Sequence, residues 1–170
     1  MVRRIFPEMP LRFLALALLA GLSASLTATI AVTVAQAHEF SRGGLTIIHP
    51  WARPTIAGRP IAAVYFKIDN ANAEPDRLVS VTTDLTDRAE LHTTMAKGEI
   101  MQMRPLDAIV VPGKQEMKLE PGGAHIMLIN IKRQLKEDDR FKLTLKFEHA
   151  GTIVVEVVVQ IPRADGQNMH

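Results

Sequence analysis

The 170-residue sequence contains no cysteine. That absence excludes disulfides, thiolate nucleophiles, Cys zinc sites, iron–sulfur clusters and the type-1 blue-copper centre, which needs a Cys thiolate. Aromatic residues are few, with one Trp and one Tyr beside six Phe. Any chemistry falls to imidazole, thioether, carboxylate, hydroxyl or backbone. Neither sign of charge prevails, since 20 Lys+Arg face 18 Asp+Glu, a net +2 with His neutral. After the first 37 residues no apolar run is long enough to span a bilayer. The length suits one domain plus a processing segment.

The small basic excess sits at the start of the chain. Residues 1–12 carry Arg3, Arg4 and Arg12 against one acid, Glu8, and Phe13 to Val34 holds no charge before Ala35-Gln36-Ala37. A basic n-region, an apolar h-region and an A-x-A site predict a signal peptide over 1–37, cut after Ala37. The apolar stretch is long for a leader, but its Ser and Thr residues and the AQA site favour cleavage over an uncleaved anchor. Arg3-Arg4-Ile5-Phe6 echoes a twin-arginine signal only in part, so the ordinary secretory route is expected. Removing this segment leaves basic and acidic side chains equal in number. The mature chain then has no charged footprint for nucleic acid. The expectation is an exported domain over 38–161, followed by a loose tail at 162–170.

In the mature chain the dominant period is two. Phe141, Leu143, Leu145 and Phe147 alternate with Lys142, Thr144, Lys146 and Glu148, and Ile153, Val155, Val157, Val159 and Ile161 repeat the pattern. His149-Ala150-Gly151 between them reads as the turn of a hairpin. Further strands are expected at 45–49, 62–70, 78–83, 90–94, 100–104, 109–111, 116–119 and 125–131, divided by Pro, Gly, Asn and Asp clusters. Such spacing predicts an all-β sandwich or barrel. About 130 residues bury roughly two-thirds of the unfolded chain's surface, enough for a core without disulfides.

Histidine and methionine gather in one third of the chain. His92 lies in ELHTTM, Met101 and Met103 in MQMRP, and His125 and Met127 in PGGAHIM. Side chains alternate across a strand, so His125 and Met127 share a face, as do Met101 and Met103. The turn at Pro121-Gly122-Gly123 puts His125 at the start of a strand, near a rim that a ligand reaches. Imidazole and thioether together suit a soft metal, because Met sulfur is polarizable and a poor ligand for hard ions or zinc. Copper(I), d¹⁰ and undemanding in geometry, is the natural candidate.

Plainer readings apply to the other residues. Met95 and Met117 read as core filler, and His49 and His149 as surface or satisfied histidines. Phe66 belongs to the core with Val64 and Ile68, and Trp51 reads as a packed loop anchor. An enzyme would need a nucleophile or an acid/base pair, and Glu90 with His92 has no partner set, so no enzymatic activity is expected. The competing reading is a metal-independent interaction module, with Trp51, Tyr65 and Phe66 in its interface.

The spacing of the four central residues resembles the periplasmic copper chaperone family PCuAC. That family has His, ten residues, Met, twenty-one residues, then His-x-Met, a pattern met here by His92, Met103 and His125-Ile126-Met127. HPWARPT at 49–55, AAVYFKIDN at 62–70, DRL at 76–78, ELH at 90–92, MRP at 103–105, VPGK at 111–114, KLEPGGAHIML at 118–128 and LTLKFEHAG at 143–151 are also similar to the family. The resemblance covers nearly the whole mature domain. It implies a cupredoxin-like β-sandwich that carries Cu(I) through the periplasm towards cytochrome c oxidase assembly, with His92, Met103, His125 and Met127 as ligands. The expected partner is a copper-accepting protein of that assembly.

Two departures stand out. Many family members have Met directly after the first His, where this chain has Thr93; Met95 or Met101 could compensate, Met101 more as a neighbouring thioether than as a fifth ligand. Some members end in a His/Met-rich tail that binds Cu(II), whereas this tail offers only Met169 and His170. Cleavage after Ala37 would expose His38, whose α-amine and imidazole form a candidate second site for Cu(II).

Overall fold

A computed structural model describes residues 39–97 and 100–162, with the backbone alone at 96 and 97. The expected signal segment, His38, and residues 163–170 of the expected tail, with Met169 and His170, lie outside the described residues. Eleven strands and no helix make up the described chain. They are β1 (Glu39–Arg42), β2 (Leu45–Ala52), β3 (Ile61–Asn70), β4 (Asp76–Thr82), β5 (Arg88–Lys97), β6 (Ile100–Pro105), β7 (Ile109–Val111), β8 (Glu116–Leu119), β9 (Ala124–Ile129), β10 (Arg140–Phe147) and β11 (Thr152–Val159).

The strands hydrogen-bond in the order β6-β5-β9-β3-β2-β11-β10-β4-β7, with β1 added on β2 and β8 on β3. The pairs are antiparallel except for β11 with β2, which run parallel over Trp51↔Val158 and Ala52↔Val159. Strands from both ends of this order feed one apolar cluster, and β4 packs on β5, so the sheet folds back on itself as a sandwich whose two layers are joined at β2–β11. The all-β fold expected from the period-two pattern is the one observed.

The alternation makes this core. Phe141, Leu143, Leu145 and Phe147 point inward from β10, and Ile153, Val155, Val157 and Val159 from β11, all buried. Their register, with Leu143 opposite Val155 and Leu145 opposite Ile153, completes the expected hairpin, and Gly151 adopts φ 80 in its turn, a left-handed conformation glycine tolerates without strain. Strand β3 is covered on both faces over Val64, Tyr65 and Phe66, which explains its unbroken apolar run.

Three local features depart from the expected strands. β1 forms from Glu-Phe-Ser-Arg, a stretch too polar and short to show a pattern, because it finds an edge on β2. β2 continues past His49 through a register break between Ile48 and Trp51, with His49 at φ 52, so Trp51 belongs to a strand and not to a loop. β9 stops at Ile129, where Asn130 takes φ 56 and turns the chain out of the sheet.

Two buried polar side chains tie the loops to the strands. Asn70 donates from Nδ2 to the carbonyls of Glu74 (3.0 Å) and Val111 (3.3 Å), and its Oδ1 accepts from the Asn72 backbone (3.0 Å). Asp76 accepts from the backbone N–H of Arg77 (2.7 Å), His149 (3.0 Å) and Ala150 (2.8 Å), pinning the β10–β11 turn to β4. Burial by itself raises the Asp76 pKa; these three hydrogen bonds outweigh it and hold the carboxyl below its ordinary range. A carboxyl lowered by folding adds stability above its unfolded value, near pH 3.9, and that stability is lost as pH falls through the folded value. Asp76→Ala is expected to cost about 3 kcal/mol at pH 7. In urea unfolding of parent and variant, this deficit should shrink towards pH 2; an equal deficit at both pH values would contradict the assignment.

Candidate metal centre

The site is built around β5. Leu91 points into the core, so alternation turns Glu90, His92 and Thr94 to the outer face. Towards β9, His92 stands opposite His125 and Glu90 opposite Met127. Towards β6, Thr94 stands opposite Met103, Ala96 opposite Met101 and His92 opposite Pro105. Directly opposed residues point to the same face of a sheet. His92, Met103, His125 and Met127 therefore share one surface of three neighbouring strands, with the imidazoles in the middle row and a methionine in the row on either side.

The two imidazoles are the part the fold brings closest, with ring centroids 6.0 Å apart and planes at 46°. His125 is 4% exposed, and its Nδ1 lies 3.0 Å from the Gly123 carbonyl. A carbonyl only accepts, so Nδ1 carries the proton and Nε2 presents the lone pair. His92 has Nε2 2.8 Å from Glu90 Oε2, while its Nδ1 is buried without a hydrogen-bond partner. Glu90 also accepts from Arg88 Nε at 2.7 Å. Its carboxyl is held below the usual range by the hydrogen bond from His92 first and that from Arg88 next.

Aromatic rings wall this pair on the β3 side. Tyr65 lies 6.2 Å from His125 and Trp51 lies 4.8 Å from Tyr65, centroid to centroid. Tyr65 is 9% exposed, and burial pushes its phenol upward against the lowering effect of Arg53. Tyr65 thus packs beside His125 with Trp51 behind it, and Tyr65 offers little surface to a partner protein.

The thioethers are less enclosed. Met127 is half-buried on β9, whereas Met103, on the edge strand β6, is 60% exposed. Met101 is on the same face, one step further along β6 and equally open. Met95, opposite Gln102, falls on the other face from His92, as does Thr93. The departure at Thr93 therefore removes no donor from the surface that holds the imidazoles. Met117 packs on the core, and His49 meets Gln160 Nε2 at 2.8 Å. Among the described residues no three His, Cys, Asp or Glu side chains cluster to hold a metal ion. The donor set on this face is two imidazoles with thioethers, a set for a soft ion.

Glu90 and the Trp51–Tyr65 wall had no visible place in the site from sequence. The i, i+2 spacing of Glu90 and His92 was the available signal, ambiguous because strand neighbours so often coincide. The wall depends on long-range pairing of β2 with β3 and of β3 with β9.

A family model described as putative lipoprotein LpqE-like matches residues 45–159, and the chain belongs to that family. It is 31% identical over 116 residues to the uncharacterized protein RP573 of Rickettsia prowazekii, a match that spans 66% of this chain and only 64% of that relative's length. It is 26% identical over 118 residues to the putative lipoprotein Lxx21020 of Leifsonia xyli subsp. xyli, covering 69% of this chain and 70% of the relative. Among solved structures it is similar to the apo PCuAC domain from PmoF1, with a TM-score of 0.64 and 31% identity over 74% of this chain and all of that one. The copper-bound PCuAC domain from PmoF2 follows at 0.63 and 29%, over 74% of this chain and 99% of that one. The CuI-DR1885 solution structure from Deinococcus radiodurans gives 0.57 and 25%, over 76% of this chain and 85% of that one. The fold is that of PCuAC domains.

The unpartnered His92 Nδ1 is a cost that the metal-free protein bears, of about 1–3 kcal/mol for a buried polar atom without a hydrogen bond. His92→Leu should therefore leave the metal-free chain within about 1 kcal/mol of the parent. Denaturant unfolding in the presence of a chelator measures this; a loss of several kcal/mol would mean that the ring is structural.

Proposed function

We propose that this protein is an exported copper(I) chaperone that binds one Cu(I) through His92, Met103, His125 and Met127. It passes the ion by ligand exchange towards cytochrome c oxidase copper-site assembly. The observation that carries this reading is the buried, unpartnered Nδ1 of His92, 6.0 Å ring-to-ring from a second oriented imidazole on a face with methionines. A buried lone pair without a hydrogen-bond donor is the form a metal ligand takes before its ion arrives. The similarity to the copper-bound PCuAC domain from PmoF2 and to CuI-DR1885 supports copper as that ion. The putative-lipoprotein relatives and the leader-like N-terminus support export.

Transfer follows from the unequal enclosure of the ligands. Cu(I) has no ligand-field preference, so donors are replaced one at a time without a geometric penalty. Met103 stands exposed on an edge strand and is the first donor an acceptor displaces; half-buried Met127 follows, and the enclosed imidazoles release last. No thiolate locks the ion in place, and no bond of a substrate is broken.

Anaerobic titration of residues 38–170 with Cu(I) against a chromophoric chelator tests this. One equivalent is expected in the parent. His125→Ala should weaken binding by more than about 100-fold, the upper range for groups that merely support ligands, and Met103→Leu by less. Equal, weak binding by parent and variants would remove the site and favour a metal-independent interaction module.

A further inference from the structure

We infer that Glu90 is a positioning residue that selects which nitrogen His92 offers to the metal, so that the two imidazoles bind through unlike atoms: Nδ1 of His92 and Nε2 of His125. The inference rests on the copper reading above and extends it to a residue that is not itself a ligand.

The argument begins with hydrogen-bond bookkeeping. An ionised carboxylate only accepts, so the 2.8 Å contact between Glu90 Oε2 and His92 Nε2 requires the proton on Nε2. The neutral ring then has its lone pair on Nδ1, the atom that is buried and unpartnered. At His125 the acceptor is the Gly123 carbonyl and the proton is on Nδ1, so the opposite nitrogen is left for the metal. Two different acceptors, one on β5 and one in the turn before β9, thus impose opposite tautomers on two neighbouring rings.

Glu90 is held in place for this task. Arg88, two residues earlier on the same face, donates to its other oxygen, Oε1, at 2.7 Å, so each carboxylate oxygen has a partner. Glu90 lies in the row of Met127, next to the imidazole row, and Arg88 one row further along, opposite Ile129 of β9. A carboxylate behind an imidazole also makes the far nitrogen a stronger donor, which supports affinity without adding a ligand.

The test uses the mature chain with 15N-labelled histidine and reads the His92 tautomer by two-bond 1H–15N correlation in the metal-free protein, then Cu(I) affinity by chelator competition. In the parent, His92 should be the Nε2–H form and His125 the Nδ1–H form. Glu90→Ala should give a mixed His92 tautomer, leave His125 unchanged and weaken Cu(I) about 10–100-fold with stoichiometry still one. Glu90→Gln, whose carbonyl still accepts, should keep the tautomer and recover part of the affinity. An unchanged tautomer in Glu90→Ala, or unchanged affinity despite a changed tautomer, would overturn the inference. Should the parent bind no Cu(I) while the tautomer still follows Glu90, the copper reading falls and only the hold of Glu90 on the ring survives.

Discussion

The pairing of β5 with β9 that sets His92 opposite His125 is the constraint on which the site depends. A shift of one residue in that register would turn one imidazole into the core and bring Leu91 or Ile126 to the surface. The core prevents such a slip, because Leu91, Ile126 and Leu128 are buried on the inner side of the same strands. The His/Met face and the hydrophobic core are thus two sides of one register. Burial of aliphatic side chains, each worth about 1.5–3 kcal/mol, fixes the placement of polar groups that contribute little stability themselves.

The consequence is a division of labour across the sheet. The centre of the face is enclosed, with His125 covered and Tyr65 packed beside it, and the edge is open, with Met103 and Met101 on the last strand. In the copper-carrier reading proposed above, enclosed imidazoles and exposed thioethers suit holding an ion and giving it up, since exchange needs an accessible donor and specificity needs fixed ones. A site closed on all sides would retain its cargo, and one built wholly on the edge would bind weakly.

Much of this was legible in the sequence, because period-two alternation reports which face a residue takes. Phe141 to Phe147 and Ile153 to Val159 were readable as a hairpin, and His125 with Met127 as one face. The spacing His92, Met103, His125, Met127 pointed to the same three strands that the fold makes neighbours. What alternation does not carry is partnership between distant strands. That left Trp51 looking like a loop residue, hid β1, whose only reason to be a strand is the edge of β2, and concealed the wall that Tyr65 builds beside His125. The orientation of each ring was equally hidden, for it is set by a carbonyl at Gly123 and a carboxylate at Glu90 whose directions depend on the folded backbone.

The central claim is that two imidazoles and thioether sulfur on this face bind the same ion. X-ray absorption at the copper edge on residues 38–170 loaded with one equivalent of Cu(I) tests it most directly. The account predicts a mixed first shell of nitrogen and sulfur, with imidazole scattering from two rings and a sulfur contribution that falls in Met103→Leu. A shell of nitrogen and oxygen alone, or one unchanged by that substitution, would contradict it.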